Sequence, residues 1–586
     1  MNQLLYEAVL IFLWLLLICN LATAQTFSLL KDIKPGAANS DPYIMAKDAA
    51  GFIYFYADDP THGVELWRSN GTSTKLVKDI NPGIADGNPN GGIIYNSLFY
   101  FVANDGINGA ELWKSDGTPS GTVMVKDINP GAGSGCSEFS NLYIYNGAIY
   151  FYATNGTNGR EPWKTDGTAA GTVMIKDINV GSGNSNDKAP LFTIVGTTIF
   201  FTATDGEGTT PGLHGPELWK TDGTAAGTVL VKDINTHTYD FHPTGSYPAK
   251  LIDFYGTLIF DAQEYMDHEP WKSDGTAAGT VMLKDINPGS MGVGGAGIVG
   301  NSSYPAYFTV MDRNIYFSAE YQLDGKELWK SDGTEAGTIM IKDIYTGGSS
   351  TPGNGFHGFS SVPAELTVLG NKFYFSADNG NGRELWKSNG TTAGTILFKE
   401  TNPSPTVGGN PELLTLVNDK IYFRANDGVN GVELWSTNGT TGGTAMVQDI
   451  QPGSTGSNPV QIFESAGKIF IVVTTVVYGT EIWVANTLFA PPVAKATGLE
   501  EETNNIAILK TNPVVNEIHL TIKSANSDKL KWQLIDNNGR VVKTGYYSVS
   551  AGITAITENA GNLASGNYLL QLNGKYLQQA IKVTKR

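Results

Sequence analysis

A Glu-x-Trp triplet recurs nine times along this chain. A chain that repeats one short unit this often must stack its copies or close them into a ring. The tryptophans are Trp67, Trp113, Trp163, Trp219, Trp271, Trp329, Trp386, Trp435 and Trp483. After each of the first eight comes Asp/Asn-Gly-Thr, then usually Gly-Thr, then a short apolar run ending in Lys-Asp-Ile or a variant. One unit shows the plan: Glu111-Leu112-Trp113-Lys114-Ser115-Asp116-Gly117-Thr118, then Gly121-Thr122-Val123-Met124-Val125-Lys126-Asp127-Ile128. Each unit holds four strand-like runs, at 141–145, 148–154, 160–165 and 172–178 in one copy. Asn146-Gly147 is a strong hairpin signal between the first pair. The reading is all-β, a large β-propeller of four-stranded antiparallel blades.

The ends of the array predict how it closes. It begins with a lone fourth strand at 27–33 and finishes with a lone third strand at 481–484. Pairing the two completes a ninth blade and removes the open sheet edge that invites aggregation. Nine blades is therefore the expected count, with eight plus one divergent unit, or an open array, as the alternatives. Composition fits tight turns: Gly is 70 of 586 residues and charged residues are only 16%.

Residues 1–24 read as a signal peptide, with an apolar run from Ala8 to Ile18 and the small-x-small site Ala22-Thr23-Ala24. The first residues carry Glu7 and no Lys or Arg, which departs from the usual pattern. An uncleaved anchor is the alternative, but the run is short for a membrane span. No transmembrane anchor is expected in the mature protein. Cys19 leaves with the signal, so Cys136 stands alone and reads as a buried apolar filler.

After residues 25–486, a linker at 487–504 leads to a second all-β domain at 505–586. The charge changes sign there: formal net −22 over 25–502 and +6 over 503–586. An acidic array repels phosphates, which argues against nucleic acid as a partner.

The repeats Glu-Leu-Trp-x-x-Asp-Gly-Thr resemble those of the ELWxxDGT repeat proteins of Bacteroidetes. That resemblance implies a secreted, propeller-like protein and does not imply an enzyme. Departures are Pro162 and Pro270 at the Leu position, a contracted turn at Ser73-Thr74, and Lys399-Glu400-Thr401 for Lys-Asp-Ile. The tail resembles a type IX secretion system sorting domain of type A, a small β-sandwich. The matching residues are Asn512-Pro513, Asp536-Asn537-Asn538-Gly539-Arg540, the stretch Leu563 to Tyr568 with Gly566, and Lys582-Val583. The resemblance implies type IX machinery as partner, export through the periplasm, and a surface or secreted location in a Gram-negative bacterium. An ordinary binding sandwich is the alternative.

Nine copies of Trp, with their Asp/Asn-Gly-Thr and Lys-Asp companions, are more economically architecture than nine active sites. Lys and Glu on neighbouring strands are expected to pair across the hairpin. Asn-Gly-Thr at Asn70, Asn155, Asn389 and Asn438 fits a glycosylation sequon, but a turn explains it better. Function is expected in what does not repeat. In a meander the 2–3 and 4–1 connections share one face of the ring. Insertions at 207–214, 236–243, 289–305 and 346–361 all fall there, with His62, His214, His237, His242, His268 and His357. Loops on a rigid scaffold commonly carry function.

Two near-identical acidic loops on that face, Asp105-Asn108-Glu111 and Asp427-Asn430-Glu433, are candidate binding residues. Asp105, Asn108, Asp427 and Asn430 are candidate calcium ligands, since spaced oxygens around glycine turns suit a hard cation. These residues also make ordinary turns. His237 and His242 are a weaker metal or ligand candidate. No Gly-x-Ser-x-Gly elbow, P-loop or HExxH occurs, so no catalytic residue is assigned. The expected function is a binding or adhesion module for a glycan or matrix ligand. The alternatives are a passive surface protein and, less favoured, a polysaccharide hydrolase or lyase using Asp240, Glu264, Asp267 or Glu320.

Overall fold

The computed structural model describes residues 25–486 and 506–585, apart from 138–140, 187–191, 207–212, 237, 240–241, 244, 294–296, 352–354, 405, 510–516, 525–527, 537–540, 551, 564–565 and 574–577. The signal segment, the linker and the motif residues Asn512, Pro513, Gly539 and Arg540 lie outside the described residues. The chain divides into two compact units, Met1–Leu488 and Phe489–Arg586.

Among the described residues the first unit holds nine four-stranded antiparallel sheets, each a simple meander. Blade one is Tyr43–Lys47, Ile53–Asp59, Gly63–Ser69 and Thr74–Lys78. Blades two to eight follow over 90–126, 143–174, 193–232, 249–282, 306–342, 364–399 and 412–448. Blade nine joins Gln461–Ser465, Lys468–Thr475 and Gly479–Asn486 to Ser28–Leu29 from the other end of the array. Ser28 pairs with Val484 and Leu29 with Trp483. The array is a closed nine-bladed propeller. First strands of adjacent blades lie against each other from blade four round through blade nine to blades one and two, so they are innermost.

Strand alternation builds the core between blades rather than within them. In the second strand of blade two, Phe99, Phe101 and Ala103 face blade one and pack with Tyr54, Leu66 and Val77. Tyr100 and Val102 face blade three and pack with Ile149, Phe151 and Trp163. Both faces are buried, so the strand reads as a continuous apolar run. Cys136 lies in this second cluster, and burial pushes its thiol well up.

The repeated lysines do not pair with the repeated glutamates, which corrects the expectation from sequence. They reach the next blade. Lys78 Nζ donates to the Thr122 carbonyl at 2.8 Å and lies 5.6 Å above the Trp113 ring. Lys126, Lys176, Lys232 and Lys342 repeat both contacts on Thr172/Trp163, Thr228/Trp219, Thr280/Trp271 and Thr395/Trp386. The lysine after each tryptophan makes a second bridge: Lys114, Lys164, Lys220, Lys272 and Lys330 donate to glycine carbonyls of the next Asp/Asn-Gly-Thr turn. None of the nine buried indole N–H groups has a hydrogen-bond partner, so Trp acts through ring area and the cation above it.

The turn itself is held by its first residue. Asp116 Oδ1 accepts from the Thr118 amide at 2.8 Å and its hydroxyl at 2.7 Å. Asn389 does the same with Thr391. The middle residue, Gly117, has φ +83°, which a side chain disfavours. Where Pro162 and Pro270 replace Leu, the fourth strand shrinks to two residues, Val173–Met174 and Val281–Met282, because proline has no N–H to give the ladder.

The second unit has two sheets, ordered Ile506–Leu509, Glu517–Ser524, Gly552–Asn559 and Val541–Val549, Asp528–Asp536, Gly566–Asn573, Gln578–Lys585. Their inner faces share one core, including Leu520, Leu534, Trp532, Leu570 and Tyr568. Gly566 opens one strand and Lys582 lies within the last.

Two outcomes test this account. Lys176→Met removes one hydrogen bond and one cation–π contact and should cost about 1–2 kcal/mol in denaturant unfolding; no change would show that the bridges are idle. Deleting 25–33 opens blade nine and should yield concentration-dependent association by light scattering.

Candidate functional site

The glutamate of each Glu-x-Trp is fully or almost fully buried. It holds the 4–1 connection that leaves its own blade. Glu269 accepts from the Ile286 and Asn287 amides at 2.9 and 3.4 Å, and from the Ser303 amide and hydroxyl at 3.0 and 2.7 Å. Glu217 takes Ile234, Asn235 and Ser246 in the same way. Glu327 takes Ile344 and Ser361. One carboxylate therefore pins both ends of each connection, and whatever lies between is free to grow outward.

Three consecutive connections have grown. Between blades four and five the chain adds a hairpin of Thr238–Tyr239 with His242–Pro243. Between five and six it adds Ser290–Val293 with Gly297–Gly300, and between six and seven Gly348–Thr351 with Gly355–Gly358. Among the described residues no other connection carries a two-stranded sheet. The insertions fall in one sector of the 4–1 face.

The same sector breaks the repeat at the entry to the first strand. An Xaa-Pro elbow there puts Xaa in the left-handed region: Asp41, Asn88, Asn410 and Asn458 in four blades. In blades five, six and seven the residue is Tyr247 (φ 48°), Tyr304 (φ 44°) and Val362 (φ 46°). Asn tolerates this backbone; Tyr and Val strain it. Three cations brace the elbows. Lys250 Nζ donates to the Pro305 carbonyl at 2.7 Å, Lys326 Nζ to that of Tyr304 at 2.9 Å, and Arg383 Nη2 to that of Val362 at 2.8 Å.

Beneath the elbows sits a buried carboxylate that occurs in one blade only. Asp261 meets Lys250 Nζ at 3.0 Å and His268 Nδ1 at 3.2 Å. The matching positions elsewhere are Tyr56, Val102, Tyr152, Thr202, Ser318, Ser376, Arg424 and Val472. Asp267 likewise replaces a glycine that the other eight units keep two residues before the glutamate. Asp267, Glu269 and Asp285 bring ligand atoms within 4.8 Å of one another. Burial is the main cause that pushes Asp267 to about 7 and Glu269 to about 8.

The candidate residues from sequence are placed as follows. Asp105 and Asn108 come together: Asp105 Oδ1 accepts from the amides of Ile107 and Asn108, and Oδ2 from Asn108 Nδ2 at 2.7 Å. Asp427 and Asn430 copy this. In blade one the pair is Asp59 and His62, with Nδ1 2.8 Å from the carboxylate. These carboxylates thus face N–H donors of their own loops. The two acidic loops sit on blades two and eight, with blades nine and one between them. Glu111 and Glu433 are a correction: both are interior clamps, 0% exposed, bonded to backbone amides. His237 is outside the described residues, as is Asp240. His242 lies in the first added hairpin and His357 in the third. His214 pairs with Asp205 at 2.7 Å. Glu264 faces Asp267 across a two-residue turn, and Glu320 faces Lys326.

Sequence reasoning missed Asp261, Lys250, Tyr247 and Tyr304. The signal was present as departures within aligned repeat columns. A cleft of about 460 Å³ between blades five and six, lined by Phe254, Tyr255, Asp274, Gly279 and Asp332, belongs to the opposite face. Its walls include turn residues that recur around the ring.

Residues 512–586 match the secretion system C-terminal sorting domain. No curated protein matches the chain. Solved structures with similar folds include a puromycin hydrolase (14% identity, TM-score 0.32, covering 69% of this chain and 61% of that one). A structure from a study of two prolyl endopeptidases (10%, 0.34, 66% and 54%) and prolyl oligopeptidase B from Galerina marginata (9%, 0.33, 66% and 55%) are others. This chain spans less than two thirds of each. The sorting tail implies contact with type IX secretion machinery and export to the cell surface or beyond. Among the described residues no helix is long and apolar enough to cross a membrane.

The clamps set a pH dependence. Burial raises Glu65, Glu111, Glu161, Glu217, Glu327 and Glu481 to about 7, with Glu269 about 8, against the backbone donors that lower them. A carboxyl raised in the folded state binds more protons folded than unfolded. Its stabilisation is complete below the unfolded value and lost as pH rises through 7 to 8. Thermal unfolding should therefore shift to lower temperature between pH 5 and about 8; a flat profile would contradict the raised values. Chelator should leave Tm unchanged, because the Asp105 and Asp427 oxygens meet internal donors; a calcium-dependent rise would restore the ion.

Proposed function

We propose that this chain is a secreted or cell-surface binding protein of the ELWxxDGT repeat type. In this reading its tail directs type IX export, and its propeller engages an extracellular glycan or matrix ligand through the sector of blades four to seven. The observation that carries the reading is the run of three added hairpins over three strained elbows. The four other elbows keep Asn or Asp. Departure from a repeated scaffold costs stability, and the departures share one face and one sector. Binding surfaces on rigid scaffolds are built this way.

A second reading is supported by the Asp261–His268 pair. A buried carboxylate at Nδ1 fixes the imidazole tautomer and leaves Nε2 as the acceptor nitrogen, an arrangement that serves hydrolysis. It predicts turnover of a polysaccharide that a single His268→Gln change abolishes.

The test is a polysaccharide and matrix-protein array with the purified full-length chain, in calcium and in EDTA. In parallel variants, 290–300 and 348–358 are each replaced by a Gly-Ser link. The Glu269 and Glu327 clamps remain, so the fold should hold with little change in Tm. The expected result is binding by the parent and at least about tenfold weaker binding by the shortened variants, equivalent to about 1.4 kcal/mol. Equal binding by both variants would remove the sector from the reading. Binding to nothing would favour a passive surface role.

A further inference from the structure

The tyrosines of this sector point to a ligand class. We infer that Tyr247, Tyr304 and Tyr307 form a stacking platform for an uncharged glycan chain; the inference rests on the binding reading above. The three side chains are 43%, 49% and 48% exposed. Tyr247 and Tyr304 stand at elbows where four other blades use Asn or Asp, and both keep positive φ. A bulky residue there strains the backbone, while the ring stays half in solvent. Folding alone favours asparagine at such a position.

The Tyr304 ring is also held in place before any ligand arrives. One face of Tyr304 stacks on His268, with centroids 5.3 Å apart and planes at 28°. His268 is itself anchored by Asp261. The amides of Ser303 and Tyr304 donate to the His268 carbonyl at 2.9 and 3.2 Å. Lys250 leaves the strand that Tyr247 opens and ends on the Tyr304–Pro305 elbow, so the two aromatic elbows lie one blade step apart. Tyr307 follows at the β-bulge of the inner strand of blade six, φ 58°. Preorganised rings lose little entropy on binding.

Charge selects among ligands that stack on tyrosine. The array carries formal net −22, which repels uronates, sulfated glycans, nucleic acids and anionic lipids. The nearby cations are engaged: Lys250 by Asp261 and the Pro305 carbonyl, Lys326 by the Tyr304 carbonyl. A neutral sugar needs no counter-charge. Its C–H face packs on an aromatic ring and its hydroxyls meet polar groups at the rim.

The experiment measures retention of the purified full-length chain by cellulose, xylan, mannan, laminarin and starch, with polygalacturonate and alginate as anionic counterparts. Tyr247→Asn and Tyr304→Asn restore the residue that other blades carry. The expected result is salt-insensitive retention by at least one neutral glycan, weakened about tenfold or more in either variant, with Tm equal to or above that of the parent. Retention only by the anionic polymers, retention by none of the neutral ones, retention unchanged in the variants, or a lowered Tm would each overturn it. A matrix protein bound through the same sector and lost with the shortened hairpins would overturn the glycan assignment while leaving the binding reading intact.

Discussion

A single interaction, the buried glutamate carboxylate meeting backbone amides of the 4–1 connection, organises the propeller. It satisfies N–H groups that would otherwise be orphaned where strand pairing ends. Glu111 does this for Ile128, Asn129 and Gly135, and the other copies repeat it. The cost is a buried acid, offset by three or four donors. Because the clamp acts at the stem, the connection beyond it is released from the fold. The hairpins between blades four and seven exist on that freedom.

The lysine bridges complement the clamp. Clamps organise each connection; bridges tie blade to blade. A lysine carries its charge over the next blade's tryptophan and spends its N–H on a carbonyl there. Ring closure extends the same logic. Phe27 and Gln448 exchange hydrogen bonds, and Lys31 lies 4.5 Å above Trp67. The closing strand is thus held by blades eight and nine, and its lysine reaches blade one.

Against this uniform frame, the sector of blades four to seven stands out by substitution. Asp261 replaces a neutral or basic residue, Asp267 a glycine, and Tyr247 and Tyr304 the asparagine type. Each change is locally unfavourable: a buried acid, a crowded turn, a left-handed aromatic. They gather on the face where the sequence predicted function. The acidic loops singled out from sequence instead close on themselves, and the residue opposite Asp59 is a histidine donor rather than an oxygen ligand.

Repeat architecture, blade count and closure were legible because they are written as periodicity. Nine Glu-x-Trp triplets, alternating apolar runs and two complementary half-blades each follow from local spacing and the need to bury both sheet faces. The sandwich tail was legible through ordered motifs, part of which lie in the described strands. The direction of the lysines was not, since sequence spacing shows that Lys and Glu are near in the chain but not which neighbour the side chain reaches. Nor could sequence distinguish Glu111 as clamp from Glu111 as ligand, because burial depends on chain brought in from seventeen and twenty-four residues away. Asp261 and His268 are seven residues apart yet meet only because they sit on adjacent antiparallel strands. Periodicity is a property of the chain and survives in the sequence; convergence of side chains is a property of the closed ring, and only the tertiary structure decided it.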